Sequence, residues 1–273
     1  MGPAFKRRLE YRYPYPRGQA RPRSRDTPRL QCHSNGVLQG GHLDHLALLE
    51  VTRGLDEPLG ADLSAIEAMG EVLAGTGNPF VGTSGTIPLA FGGVEGVGTE
   101  IDIPPAGPGI DAENAVIAFA DRGIRSSVVR PPPLVHSQFD HTGYTPALIS
   151  FARAKGKAGY PGDGSNRWPA VHSVDAARLY RLALEGAPAG TRLHAVGDEG
   201  VRLKEIAEAI GGNLGVPALS IPPEEIVDYF DFLTFFISLD NPASSTLTQE
   251  LLDWHPTHSG IVDDLNEGHY FRD

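Results

Sequence analysis

Pro79-Phe80-Val81-Gly82-Thr83-Ser84-Gly85-Thr86 is a short apolar run that breaks off into hydroxyls and glycine. It reads as a buried strand with a polar carboxyl end. Just upstream, apolar residues recur at Leu63, Ile66, Met69, Val72 and Leu73. That is the spacing of an amphipathic helix, and Gly75 closes it. Downstream, a Gly/Pro-rich loop covers roughly 85–110. Asp111 is placed to cap a helix running through Ala120, which Gly123 ends. Ser126-Ser127-Val128-Val129-Arg130 is a second β-type run, stopped by Pro131, Pro132 and Pro133. Helices alternating with short apolar strands predict a parallel sheet covered by helices.

The alternation continues. Ala147 to Ala154 and Ala176 to Leu184 suit helices, Thr191 to Val196 a strand, and Leu203 to Ile210 an amphipathic helix. Ile226 to Leu239 is unusually aromatic, with Tyr229, Phe230, Phe232, Phe235 and Phe236. Such a stripe is more often a helix packed into the core, or a subunit contact, than a pocket wall. Phe232 and Phe236 are kept as candidate lid residues. Earlier, Leu43 to Leu49 could form a short helix.

The 273 residues can hold one large domain or two modest ones. The formal charge of −11 is uneven, because residues 1–30 carry nine Lys/Arg against two Asp/Glu. The acidic remainder argues against nucleic acid as a partner. The single cysteine, Cys32, cannot form an internal disulfide, which fits a reducing, cytoplasmic setting. No apolar run approaches the roughly 20 residues of a membrane span. The basic start is interrupted by Pro3, Pro14, Pro16, Pro22 and Pro28, which suits neither a targeting helix nor an apolar signal core. Residues 1–55 are expected to be disordered, or the product of a shifted reading frame ahead of the true domain.

Chemistry concentrates at strand ends. In doubly wound sheets, ligands bind beyond the carboxyl ends of the strands. Thr83 and Ser84 stand at one such end, and Arg130-Pro131-Pro132-Pro133-Leu134-Val135-His136 forms a rigid proline turn at the next. A third cluster is Gly162-Asp163-Gly164-Ser165-Asn166-Arg167-Trp168-Pro169-Ala170-Val171-His172-Ser173-Val174-Asp175. In this order and spacing the three segments resemble the extended short-chain dehydrogenase/reductases, the epimerase/dehydratase-like superfamily. Trp254-His255-Pro256-Thr257 resembles that family's closing Trp-x-Pro element. The resemblance covers about residues 62–271 and is closest to an atypical subgroup of NAD(P)-dependent oxidoreductases.

The resemblance implies a Rossmann-like parallel sheet, N-terminally incomplete, with a smaller C-terminal substrate-binding region. It divides the chain into a non-family segment 1–55, a partial NAD(P)-binding domain 56–145, and a part 146–273 that adds late Rossmann elements and the substrate side. It implies NAD or NADP as cofactor and a small alcohol or carbonyl as substrate, with a nucleotide-sugar epimerase or dehydratase as the alternative. Ser84, with Thr83 beside it, matches the family's catalytic serine. Arg130, Pro131, Pro132 and Val135 match the turn against the nicotinamide. His136, His141 and Tyr144 are candidate proton donors or substrate contacts, and Asn166, Arg167 and Trp168 would shape the substrate side. A homodimer is left open.

Two family features are missing from their places. No lysine has a tyrosine four residues before it, so the Tyr-x-x-x-Lys pair is absent. A Gly-x-x-Gly-x-x-Gly spacing occurs only at Gly156, Gly159 and Gly162, after a helix rather than a first strand, and reads as chance. The glycines from Gly36 to Gly41 have the wrong spacing. A truncated pseudoenzyme is therefore the rival expectation. Gly82-Thr83-Ser84-Gly85-Thr86 also comes near a hydrolase elbow, but its last residue is Thr and a long loop follows. His42, Asp44 and His45, and separately His255 and His258, have no companion cluster, so no metal is expected.

Overall fold

The computed structural model describes residues 62–105, 107 and 110–272. The expectations for residues 1–55 and for a helix at Leu43 to Leu49 lie outside the described residues. Helix α1 spans residues 62–73. Strand β1 (Pro79–Thr83) follows, then helix α2 (Ile87–Phe91), helix α3 (Ile110–Ala118) and strand β2 (Arg125–Arg130). Next come β3 (Leu134–His136), α4 (Tyr144–Lys155), β4 (Ala158–Pro161), β5 (Arg167–His172) and α5 (Ser173–Gly186). The chain continues through β6 (Thr191–His194), β7 (Asp198–Arg202), α6 (Leu203–Leu214) and β8 (Ala218–Ile221). It ends with α7 (Ile226–Phe230), α8 (Thr246–Leu252) and α9 (Ile261–Asn266).

The first sheet has the order β1-β2-β6, and both pairings are parallel. Pro79 pairs with Arg125 and Thr83 with Val129, so the two runs read from the sequence end side by side. Side chains alternate across this sheet, as strand geometry requires. Val128 joins Ile66, Ala112, Val116, Phe119 and Ile124 on the α1/α3 face. Val129 joins Ala176, Leu179, Ala183, Leu193 and Trp254 on the α5 face. Burial on both faces explains why Val128 and Val129 stand side by side in the central strand and do not alternate with exposed polar residues. Gly82 lets α3 approach closely, since a Cβ there would stand 2.9 Å from Val116 Cγ2.

A second sheet, β3-β5-β7, places β3 parallel and β7 antiparallel to β5, with an irregularity between Trp168 and Ala170. A third pair, β4 and β8, is parallel. These strands, with α4, α6 and α9, enclose a larger core around Trp168, Leu148, Ile206, Ile221, Phe230 and Leu233.

Several local expectations need correction. The long loop after β1 contains α2, begun by a proline in its first turn, where a missing N–H costs nothing. Asp111 does not cap α3. It lies in the first turn and accepts from Gly107 N at 3.1 Å. Helix α3 stops at Ala118 and tightens into a 3-10 turn before Gly123, whose φ of 71° reverses the chain. The three prolines end β2, but the chain resumes at once as β3 in another sheet. The aromatic stretch 226–239 is broken, since Asp231 with φ 50° separates α7 from a 3-10 turn. Phe232 and Phe236 pack against the C-terminal core. Gly156 caps α4 in the left-handed region, and Gly159 admits the Tyr229 ring, a Cβ there meeting it at 2.6 Å.

Candidate functional site

The tips of β1 and β2 end side by side and make up the candidate site. Ser84 N donates to Val129 O (3.0 Å) and Thr86 N to Pro131 O (3.1 Å), so the two turns are tied together by backbone. Ser84 and Pro131 are half-buried and Thr83 is exposed. Because residues alternate, Thr83 and Ser84 address opposite faces. Thr83 Oγ1 hydrogen-bonds with Tyr180 Oη of α5 at 2.8 Å. Ser84 lies by Glu113 of α3 and helps to hold its carboxyl ionised. Burial pushes the Tyr180 phenol up, partly offset by the Thr83 hydroxyl, so it stays protonated. Tyr180 was not legible as a site residue, because nothing within α5 marks a contact made 97 residues away.

Arg130 closes the same strand end from inside. Its side chain is 0% exposed. Nε and Nη2 donate to Glu113 Oε2 (3.0 Å) and Oε1 (2.6 Å), and Nη1 donates to Asp102 O (3.0 Å). Arg192 Nε adds a further bond to Glu113 Oε1 at 2.6 Å. Burial alone would raise the Glu113 carboxyl. The hydrogen bond and charge of Arg130, then the bond from Arg192, outweigh it and hold the group below its ordinary value. The guanidinium is therefore engaged within the protein. Pro132 is buried and Val135 half-buried.

His194, at the end of β6, completes this network. Its Nδ1 lies 2.7 Å from Ser244 O and its Nε2 3.3 Å from Arg130 Nη1. A carbonyl only accepts and a guanidinium only donates, so Nδ1 carries the proton and Nε2 a lone pair. The ring is neutral, and burial, opposed in part by the Glu100 charge, sets its pKa below the ordinary 6.5. A folded pKa below the unfolded value means that stability is complete above about 6.5 and is lost as pH falls beneath it. His172, lowered by burial and then by His258 and His136, acts in the same sense. We expect the melting temperature to fall as pH drops from 7 towards 5.5, and His194→Asn, whose amide can replace Nδ1–H, to reduce that slope. An identical slope in the variant would remove the assignment.

The remaining sequence-predicted residues gather elsewhere. His136 ends β3 and is wholly buried, with Nδ1 2.8 Å from Asp264 Oδ2 and its ring edge-on to His172 at 5.6 Å. Those contacts belong to the second sheet. His141 is exposed and borders a surface cavity of about 360 Å³ with Asp140, Arg153, Tyr270 and Arg272. Tyr144 packs in an aromatic cluster with Phe236 (5.2 Å), Trp168 (6.1 Å) and Phe232 (6.4 Å). Asn166 and Trp168 donate to backbone carbonyls of Ile237 and Leu239, and Arg167 forms a two-pronged pair with Asp240. These three residues thus bind the 237–240 segment to β5. No helix among the described residues is long and apolar enough to cross a membrane.

No protein-family model matches the chain. Two yeast proteins do. It is 44% identical to the uncharacterized protein C2A9.02 of Schizosaccharomyces pombe over 244 residues, 89% of this chain and 82% of that one. It is 35% identical to the uncharacterized protein YLL056C of Saccharomyces cerevisiae over 240 residues, 88% of this chain and 80% of that one. Among solved structures it is similar to DesIV, the dTDP-glucose 4,6-dehydratase of Streptomyces venezuelae, crystallised with NAD. That match has a TM-score of 0.61 and 17% identity, and covers 83% of this chain and 70% of DesIV. The chain belongs to the family of the two yeast proteins, and its fold is that of the NAD-dependent epimerase/dehydratase group, the extended short-chain dehydrogenase/reductases.

Proposed function

We propose that this protein is an NAD(P)-dependent oxidoreductase acting on a small alcohol or carbonyl compound. The dinucleotide would lie across the carboxyl ends of β1 and β2. The observation that carries this reading is the pairing of those strands: Thr83 and Ser84 end beside Val129 and the Arg130–Pro131 turn. This is where doubly wound sheets receive ligands, and a protein of the same fold, DesIV, was solved with NAD. The half-buried Ser84 and Pro131 and the exposed Thr83 suit a flat ring bordered by hydroxyls. When bound, the nicotinamide supplies or accepts hydride. Ser84 would orient the substrate oxygen by hydrogen bonding, and Pro131 would border the ring. The buried Arg130–Glu113 pair would hold the strand tip in place and would not touch the cofactor.

A second reading, a ligand-binding protein without turnover, is favoured by one observation. The Tyr-x-x-x-Lys pair is absent from the chain. Titrating the full chain with NADH and with NADPH, followed by nicotinamide fluorescence, separates the readings. Saturable binding below millimolar, weakened by Ser84→Trp, supports the cofactor site. No binding at millimolar concentrations of either dinucleotide sinks it. Binding combined with no reduction of a panel of small carbonyls, in wild type and Ser84→Ala alike, favours the non-catalytic reading.

A further inference from the structure

The C-terminal turn carries a second cluster of polar groups, apart from the β1/β2 tips. Asp264 lies within the six-residue helix α9, Glu267 follows the helix, and His269 opens a 3-10 turn. Gly268, with φ 76°, swings the chain back so that residues at i, i+3 and i+5 converge. One ligand atom from each of Asp264, Glu267 and His269 lies within 4.8 Å of the other two. The Asp264 Oδ2 to His269 Nε2 distance is 3.7 Å.

Two features set this cluster apart from an ordinary solvated patch of acids. His269 Nε2 is buried and meets no hydrogen-bond partner among the described residues. The fully buried His136 is bonded through Nδ1 to the same Asp264 Oδ2 and so fixes that carboxylate. A buried nitrogen left without a partner is costly, so a structure that keeps one invites a group not supplied by the chain. Asp264 itself is 2% exposed, and the Glu267 carboxylate comes close to it with only the Ser259 hydroxyl as a described hydrogen-bond partner (3.0 Å). Two converging carboxylates and one bare imidazole nitrogen lack a positive charge at their centre.

We propose that Asp264, Glu267 and His269 form a binding site for a divalent transition-metal ion of the zinc class. Such an ion takes imidazole nitrogen and carboxylate oxygen at about 2.0–2.2 Å, which places tetrahedral ligands roughly 3.4 Å apart. The 3.7 Å separation of Asp264 and His269 needs only a small contraction. His136 then acts as a positioning residue that fixes the Asp264 carboxylate, the role outer hydrogen bonds play for metal-bound carboxylates. Three protein ligands leave coordination positions open towards a cavity of about 340 Å³. That cavity is bordered by His172, His258, Phe139 and Arg272. Water or an anionic oxygen could complete the coordination there. The site is independent of the dinucleotide reading.

The test is calorimetric titration of the chelator-treated full chain with ZnCl₂. Saturable uptake of a single equivalent at micromolar concentration is expected, with a metal-dependent rise in melting temperature. Glu267→Gln and His269→Asn lie at the rim of the fold and are expected to fold. Each should weaken binding at least about tenfold without changing the melting temperature of the metal-free protein. Binding that both variants retain would overturn the proposal. So would the absence of stoichiometric binding up to millimolar zinc.

Discussion

Arg130→Ala is expected to lower the free energy of unfolding by about 3–5 kcal/mol, because it leaves Glu113 charged and buried without its main partner. Both side chains are 0% exposed and are joined by two hydrogen bonds. Arg192, itself only slightly exposed, would remain on Glu113 Oε1 but could not satisfy Oε2. The loss would spread, because Arg130 also ties the 99–102 loop through Asp102 O and faces His194 Nε2. Urea denaturation measures it directly. A double replacement, Arg130→Met with Glu113→Leu, is expected to recover much of the stability, since apolar pairs of similar volume replace buried ion pairs at little cost. A single-variant loss below about 1 kcal/mol would show that solvent reaches the pair.

Trp254→Ala is the other large effect, also about 3–5 kcal/mol. Trp254 is fully buried among Val129, Val171, Ala176, Leu179 and Leu193, where it fills the space between the first sheet and the tail. Its Nε1 donates to Asp175 O at 3.0 Å. The Asp175 carboxylate in turn accepts from the backbone of Thr257 (3.0 Å) and His258 (2.9 Å). Removing the indole therefore opens a cavity and frees the segment that holds His258 against His172, whose rings stack at 4.4 Å. Trp254→Phe loses the hydrogen bond but keeps most of the buried volume, so its cost should be smaller by at least half. Equal losses in the two variants would mean that the hydrogen bond, and not packing, carries the effect.

The two substitutions mark where sequence reading succeeded and where it stopped. Trp254 sits in a motif that resembles a family element at the end of the chain. Arg130 opens a proline turn at a strand end. That its guanidinium points inward to Glu113, and not outward to a ligand, depends on which face of β2 residue 130 occupies. Periodicity does not reveal that when both faces are buried. The same limit hid β3, β5 and β7, whose short runs between prolines and glycines carry no alternation that local reading can detect.

Local physics was sufficient for what is local. Apolar spacing identified α1, glycine marked the ends of α1 and the α3 segment, and the apolar runs Phe80–Ser84 and Ser127–Arg130 implied a parallel sheet. The ordered motifs implied the family's fold. Tertiary structure alone decided the company each side chain keeps. Tyr180 meets Thr83, His136 meets Asp264, and Glu113 meets Arg130 and Arg192. Those pairs lie 17 to 128 residues apart in the chain. Their energies come from burial and low local dielectric, which exist only once distant segments have closed around them.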